Sequence, residues 1–247
     1  RHNGIIPWDD DIDVFMPRQD YERLLGYKSI IEGQGYSVAS IRNGDNYNLF
    51  LKFYDINTTL WEIKEIPYVF GVFIDVFPLD LTEDNKSAFI NKYTKLRNLI
   101  SLYQLSISQY TIGGILNYYK QGNIKYFKKG LLSLLIPRFF SNLLKKKLLK
   151  IDTEFKNSSG NNLISPYGDY YGKEYLQKEW FCESQMVPFE DSVACIGKGT
   201  SDYLTQVYGD YMKLPPVDRR VTHHQHYFLN LNKRMSINEI VNILNNK

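Results

Sequence analysis

Alternation of polar and apolar positions predicts β-strands in the first third of the chain. Residues 11–16 (DIDVFM) alternate in this way, which is typical of a strand whose two faces differ. Three segments rich in β-branched and aromatic residues follow, with Asn or Gly between them: 36–41, 48–55 and 58–64. The apolar run 68–80 (YVFGVFIDVFPLD) predicts a further strand, buried on both faces.

Helical periodicity predicts most of the other elements. An apolar stripe over residues 18–35 predicts a helix between the first two strands. From residue 85 to residue 155 the pattern is helical, and Gly113–Gly114 and Pro137 are predicted to interrupt it. The last third mixes short strands with helices and closes with an amphipathic segment, 235–247.

The order of these elements predicts an α/β chain of the α+β type. We expect a catalytic core with a mixed β-sheet over residues 1–84 and a helical region over residues 85–157. Residues 158–247 are expected to close the same domain. A length of 247 residues suffices for one large domain.

Charge and cysteine content narrow the class of protein. A net charge of +3 is too small to indicate a nucleic-acid partner. Cys182 and Cys195 lack the spacing of a zinc site, and two free thiols are typical of a reducing compartment. We therefore expect a cytoplasmic protein. No apolar run approaches the ~20 residues that a membrane-spanning helix needs.

Three aspartates are candidate metal ligands. Asp11 and Asp13 are two residues apart, so on a strand their side chains share one face, with Cα atoms roughly 6–7 Å apart. Ile12 and Val14 are then expected to face the core. Asp75 lies alone in an apolar strand, where an unpartnered carboxylate is costly to bury. Carboxylates that converge from rigid strands suit Mg²⁺ or Mn²⁺ in phosphoryl transfer.

Other interpretations of the acidic residues stay open. Asp9 and Asp10 are as consistent with a solvated turn as with a ligand, and Asp75 alone fits a buried structural carboxylate. Asp80 is better explained as a turn residue or a helix cap. An EF-hand loop is excluded, because the sixth position from Asp9 is not glycine. A nucleotide-sugar glycosyltransferase with a DxD metal site remains an alternative.

Several segments resemble the LicD-type phosphotransferases, which belong to the nucleotidyltransferase superfamily and are related to fukutin. The resemblance lies in RHNGIIPWDDDIDVFMPRQDYERL (1–24), VFIDVFPLD (72–80) and VPFEDSVACIGKGTSDYLTQVYGDYMKLPP (187–216), and in Arg220 with His223-His224. The helical middle carries no match.

The resemblance implies a nucleotidyltransferase-like fold and a metal-dependent reaction. Members of the family transfer phosphocholine, or a similar phospho-alcohol, from a CDP-linked donor to a cell-surface glycan or its lipid-linked precursor. The family's metal-binding carboxylates correspond to Asp11, Asp13 and Asp75. The superfamily's Gly-Gly or Gly-Ser turn lies upstream of the position of Arg1, so we expect a truncated N-terminus. A non-catalytic membrane-surface protein is the alternative.

Three residues that flank the acidic stretch are candidates for substrate binding. Arg1, His2 and Arg18 could contact phosphate oxygens. Arg18 could equally pair with Asp20 or Glu22 on the surface of its helix.

Lys52 and His224 complete the predicted substrate-binding set. Lys52 lies on a predicted core strand, where it could face the donor or a solvated strand face. Alternation places His224 and His226 on one strand face. His224 could therefore act on the acceptor hydroxyl, or be an ordinary polar strand residue.

Residues 125–150 (KYFKKGLLSLLIPRFFSNLLKKKLLK) concentrate basic and bulky apolar side chains. This composition is typical of a helix pair on an anionic membrane surface. It is equally consistent with domain helices that bury one side while their Lys stems extend to water. Membrane contact would place the protein at the inner face of the membrane, near a lipid-linked acceptor.

Overall fold

The computed structural model describes residues 2–83, 85–222, 224 and 226–246. Its strands are β1 (Asp13–Pro17), β2 (Tyr36–Ala39), β3 (Leu51–Asp55), β4 (Thr59–Trp61), β5 (Phe73–Thr82), β6 (Asn162–Ile164), β7 (Tyr175–Gln177), β8 (Ser184–Phe189), β9 (Ser192–Gly197) and β10 (Phe228–Asn230). Its α-helices are α1 (Arg18–Gly26), α2 (Lys28–Glu32), α3 (Lys86–Ile107), α4 (Ile112–Lys120), α5 (Ile124–Leu135), α6 (Phe140–Lys156), α7 (Glu179–Cys182), α8 (Thr200–Tyr208) and α9 (Ile237–Asn245).

Strand β5 organises the main sheet, because three strands pair with it. Strand β1 runs parallel to it, whereas β3 and β6 pair with it in the antiparallel sense. Strand β2 extends the sheet beyond β3, and β7 extends it beyond β6. The sheet is therefore mixed, and together with the helices it confirms the predicted α+β class.

The largest apolar cluster joins the sheet to the helical middle of the chain. Phe70 from the sheet region, Phe89 and Leu96 from α3, and Leu148 from α6 are all buried in this cluster. Helices α3 and α6 pack against each other, and α6 also packs against β5. Burial of these large side chains is the main favourable contribution to holding the helices on the sheet.

Helix boundaries follow the sequence pattern with two differences. The predicted helix over 18–35 is divided at Tyr27 into α1 and α2. Pro137 lies between α5 and α6, as predicted, but Gly113–Gly114 lie inside the first turn of α4. The Thr111 side chain caps that turn by accepting a hydrogen bond from the Gly114 N–H at 3.1 Å. This cap compensates for the low helix propensity of glycine.

The apolar positions at the start of β1 are less buried than the sequence predicted. Val14 is the register partner of the buried Val76, but Ile12 and Val14 are 38% and 36% exposed. Strand β1 lies at the edge of the sheet, where it pairs with β5, so its side chains have fewer neighbours than those of an interior strand. No helix among the described residues is both long and apolar enough to cross a bilayer.

A buried ion cluster ties α1 to β5 and α6. The Arg18 guanidinium donates two hydrogen bonds of 2.6 Å to Asp80 and one of 3.1 Å to Asp152. Arg42 donates to Asp152 and to Glu22. Arg18 is thus a structural residue that pairs with Glu22 at 3.4 Å, and its predicted phosphate contact is not available. Asp80 lies within β5, not in the predicted turn or cap.

We expect Arg18→Ala to lower the free energy of unfolding by about 3–5 kcal/mol, because it leaves the buried carboxylate of Asp80 without its cation. Arg23→Ala is the matched control, since Arg23 makes only an exposed pair with Asp20, which contributes about 0–1 kcal/mol. Denaturant titration of both variants measures the difference. Equal stability of the two variants would show that the buried cluster is not a determinant of the fold.

Candidate functional site

Charged side chains from three adjacent strands form a row across the sheet. In the register of the sheet, Lys52 on β3 is the partner of Asp75 on β5, and Asp75 is the partner of Asp13 on β1. Residues that are partners on adjacent strands point to the same face of a sheet. The parallel pairing of β1 with β5 therefore brings two predicted carboxylates together from positions that are far apart in the sequence.

Asp11 extends this row beyond the end of β1. The Asp75 N–H donates a hydrogen bond of 3.0 Å to the Ile12 carbonyl oxygen, so pairing with β5 continues past Asp13. Asp11 is near enough for its negative charge to raise the pKa of both Asp13 and Asp75. The three predicted carboxylates thus lie close enough for their charges to interact.

The surroundings of Asp13 and Asp75 favour the neutral form of each carboxyl. Burial, followed by the charges of Asp11 and Asp75, raises the pKa of Asp13 to about 7. Burial raises the pKa of Asp75 to about 6, although the Lys52 ammonium opposes this rise. The side chain of Asp13 is exposed at the surface, although protein around its carboxyl raises its pKa. Crowded oxygen ligands of this kind fit a divalent cation, which would offset their repulsion.

Lys52 supports the carboxylates from inside the core. It is 1% exposed, and its Nζ donates hydrogen bonds of 2.9 and 3.2 Å to the two oxygens of Asp75. The ammonium also lies 3.3 Å from a Glu62 oxygen and 3.2 Å from the centroid of the Phe73 ring. The predicted solvated placement of Lys52 is wrong, because its side chain is buried against Asp75.

A C-terminal loop reaches the acidic stretch. His224 Nδ1 lies 2.7 Å from an Asp10 oxygen, and His224 Nε2 lies 3.2 Å from an Asp11 oxygen. Burial lowers the pKa of His224, but the hydrogen bond with Asp10 and the charge of Asp11 raise it by more. His224 and His226 lie in a loop before β10, so the predicted strand alternation is wrong, although His224 does lie at the candidate site.

Hydrogen bonds also fix Asp10, which the sequence left as an open choice between turn and ligand. Burial raises the pKa of Asp10, but hydrogen bonds with Thr222 and His224 lower it by more. Asp9, Asp11 and His224 each place one possible ligand atom within 4.8 Å of the others. Among the described residues, this group shares only Asp11 with the predicted ligands Asp11, Asp13 and Asp75.

Arg1 and His2 are the two remaining predicted substrate-binding residues. Arg1 lies outside the described residues. His2 contacts the Trp8 ring edge-on, with centroids 5.9 Å apart, and the Arg220 guanidinium lies 5.4 Å from the centroid of Trp8.

Three tyrosines that were not among the predicted site residues lie near Asp13. Burial is the largest cause of the raised pKa values of Tyr170, Tyr203 and Tyr208, and the charge of Asp13 contributes to all three. The rings of Tyr170 and Tyr208 meet edge to face, with centroids 5.0 Å apart, and their hydroxyls share a hydrogen bond. Both rings are exposed. Tyr203 and Tyr208 belong to the segment 187–216 that resembles the LicD-type family, whereas no local motif indicates Tyr170.

Glu174 is a further residue near Asp13 that the sequence analysis did not predict. It is 2% exposed, and its Oε2 makes no hydrogen bond to any residue that the structure describes. Burial raises the pKa of Glu174 to about 8, and the charges of Asp169 and Asp13 add to the rise. A pKa raised this far favours the protonated form of the carboxyl at neutral pH.

Comparison with family models assigns a class to the N-terminal part of the chain. The model described as LicD/FKTN/FKRP, nucleotidyltransferase domain, matches residues 1–97, a range that contains all three predicted carboxylates. Residues 1–97 thus match the domain model of this family, which confirms the resemblance seen in the sequence.

One relative extends the similarity over most of the chain. The protein is 29% identical over 230 residues to the lipopolysaccharide cholinephosphotransferase LicD of Haemophilus influenzae, an overlap of 91% of this chain and 82% of the relative. Comparison with solved structures gave no significant match.

We expect Glu174→Gln to change how stability depends on pH. Folded Glu174 keeps its proton up to about pH 8, whereas the ordinary value for Glu is 4.5. The folded state therefore binds more protons between these values, and the wild type loses stability as the pH rises through this window. The variant should lack this loss. Thermal melts at several pH values compare the two proteins, with Glu179→Gln as an exposed control. Parallel pH profiles for the wild type and Glu174→Gln would contradict the assignment.

Proposed function

We propose that the protein transfers phosphocholine, or a similar phospho-alcohol, from a CDP-linked donor to a cell-surface glycan or its lipid-linked precursor. The observation that carries the proposal is the convergence of Asp11, Asp13 and Asp75 within the segment that matches the LicD-family model. The relative named as a lipopolysaccharide cholinephosphotransferase supports phosphocholine as the transferred group and a lipopolysaccharide as the acceptor.

We further propose that the reaction depends on Mg²⁺ or Mn²⁺. Asp11 and Asp13 would hold the ion, and Asp75 would either complete its ligand set or serve as the base. The ion would supply neutralisation of the charge on the donor's diphosphate and on the departing CMP. Carboxylate oxygens are the ligands that these hard cations prefer.

The protein's own groups would position and deprotonate the reactants. A pKa of about 6 for Asp75 suits a general base near neutral pH, so Asp75 can accept the proton of the acceptor hydroxyl. Lys52 keeps that carboxylate oriented through two hydrogen bonds. His224, whose pKa is raised, can donate a charge-assisted hydrogen bond to a phosphate oxygen.

The tyrosines near Asp13 support choline as the alcohol of the transferred phospho-alcohol. A quaternary ammonium cannot donate hydrogen bonds, and proteins bind it through the faces of aromatic rings. Tyr170 and Tyr208 offer exposed rings, and Asp13 lies close enough to shift the pKa of both. A choline group held there would lie beside the carboxylates that handle its phosphate.

Asp13→Asn should lower the rate of CMP release from CDP-choline by roughly 100-fold or more, because it removes a group that acts on the reacting phosphate. The assay contains Mg²⁺ and a lipopolysaccharide acceptor. Asp20→Asn, on the exposed surface of α1, is the control. We also expect EDTA to abolish turnover and Mg²⁺ or Mn²⁺ to restore it.

Near-normal turnover by a folded Asp13→Asn protein would refute the assignment of the site. Turnover that EDTA leaves unchanged would refute the metal requirement. Consumption of a nucleotide-sugar in place of CDP-choline would favour the glycosyltransferase alternative.

Tyr208→Ala should raise the KM for CDP-choline by about 3–30-fold, which corresponds to the loss of one cation–π contact. Tyr208→Phe keeps the ring and should change KM little. CDP-glycerol, which carries no ammonium, separates this effect from a general disturbance of the site. An equal rise in KM for both donors would contradict the aromatic contact with choline.

A further inference from the structure

The charge of the chain is divided sharply along its length. Residues 85–151 contain no Asp or Glu, so all 27 acidic residues lie elsewhere. The same stretch holds these basic residues: Lys86, Lys92, Lys95, Arg97, Lys120, Lys125, Lys128, Lys129, Arg138, Lys145, Lys146, Lys147 and Lys150. A small net charge for the whole chain thus conceals one strongly basic region, which comprises helices α3 to α5 and most of α6.

Large apolar side chains are exposed within this basic region. They concentrate where α5 ends and α6 begins, and we call residues 131–143 the α5–α6 corner. Leu135 and Phe139 are 77% and 74% exposed. The other exposed apolar residues of the corner are Leu131, Leu132, Leu134, Phe140 and Leu143.

The corner differs from the parts of the same helices that pack on the protein. Gly130 of α5 and Leu148 of α6 are buried, and Leu148 belongs to the main apolar cluster. Packing on the protein therefore explains the residues on either side of the corner, but it does not explain the exposed apolar residues within the corner. Apolar surface that remains in water is unfavourable, and exposed patches of this kind mark interaction sites.

We propose that the α5–α6 corner docks the protein on an anionic phospholipid bilayer, with Leu135 and Phe139 entering the interface between headgroups and acyl chains. Bilayers that contain anionic lipids attract basic segments and accept apolar side chains at the same place. Arg138 lies between Leu135 and Phe139, the two most exposed apolar residues of the corner. The exposed Lys146 and Lys147 follow in α6. Charge and apolar surface therefore point to the same partner.

Other occupants fit the corner less well. A second copy of the chain would bring two basic regions together, and like charges without intervening acids repel. A nucleic acid would satisfy the charge, but its sequence-independent contacts go to phosphates and stacked bases. Exposed Leu side chains have no counterpart in such a complex. The bilayer inference does not depend on the proposed transfer reaction, because docking can be measured without a donor or an acceptor.

The test is co-sedimentation of the full chain with vesicles of phosphatidylcholine, with or without phosphatidylglycerol. We expect binding to the anionic vesicles, weaker binding at high salt, and little binding to phosphatidylcholine alone. The double variant Leu135→Ser/Phe139→Ser should bind the anionic vesicles at least about tenfold more weakly. Lys146→Glu/Lys147→Glu should lose a similar factor by reversing charge at the surface.

Val217→Ser is the matched control, since Val217 is as exposed as Leu135 but lies far along the chain on the segment after α8. It should bind as the wild type does. All substituted residues are exposed, so thermal melts should match, and CMP release without vesicles should be unchanged. Undiminished binding by Leu135→Ser/Phe139→Ser would overturn the proposal. So would a wild-type dimer that this variant dissociates, or preferential binding of duplex DNA over vesicles.

Discussion

The parallel pairing of β1 with β5 is the constraint on which the candidate site depends. It sets Asp13 beside Asp75, and the hydrogen bond from the Asp75 N–H to Ile12 carries the pairing toward Asp11. A shift of one residue would turn one carboxylate to the opposite face of the sheet. The ion pair between Arg18 and Asp80 supports this register, because it joins the start of α1, directly after β1, to the C-terminal half of β5.

Compensation of charge explains why this arrangement can fold. Asp75 is buried, and burying an unpaired carboxylate costs several kcal/mol. Lys52 provides the counter-charge from the next strand, and its own burial is tolerated because Asp75 and Glu62 surround it. Asp13 has no basic residue at hydrogen-bonding distance among the described contacts, which is consistent with a pKa of about 7. The uncompensated part of the cluster is thus the part open to a ligand.

Much of this architecture could be predicted from local patterns. Alternation and apolar runs predict strands near residues 11–16 and 68–80, and the spacing of Asp11 and Asp13 indicates a shared face. The errors share a physical cause, since each concerns a contact between distant segments. Ile12 is exposed because β1 lacks a second neighbour. Arg18 is buried because Asp152, more than 130 residues away, pairs with it. No local periodicity encodes such contacts.

The two charged regions need to be separate for either to act. An acidic centre that gathers a divalent cation and a basic surface that meets anionic lipid would neutralise each other if their side chains were interleaved, because opposite charges interact strongly within a Debye length of ~8 Å. The basic stretch is nevertheless attached firmly to the sheet, since α3 and α6 bury Leu96 and Leu148 in the main cluster. If the α5–α6 corner docks on a bilayer, this packing would hold Asp11, Asp13 and Asp75 at a fixed distance from the membrane surface. An amphiphilic acceptor anchored in that bilayer would then approach the site by diffusion in two dimensions.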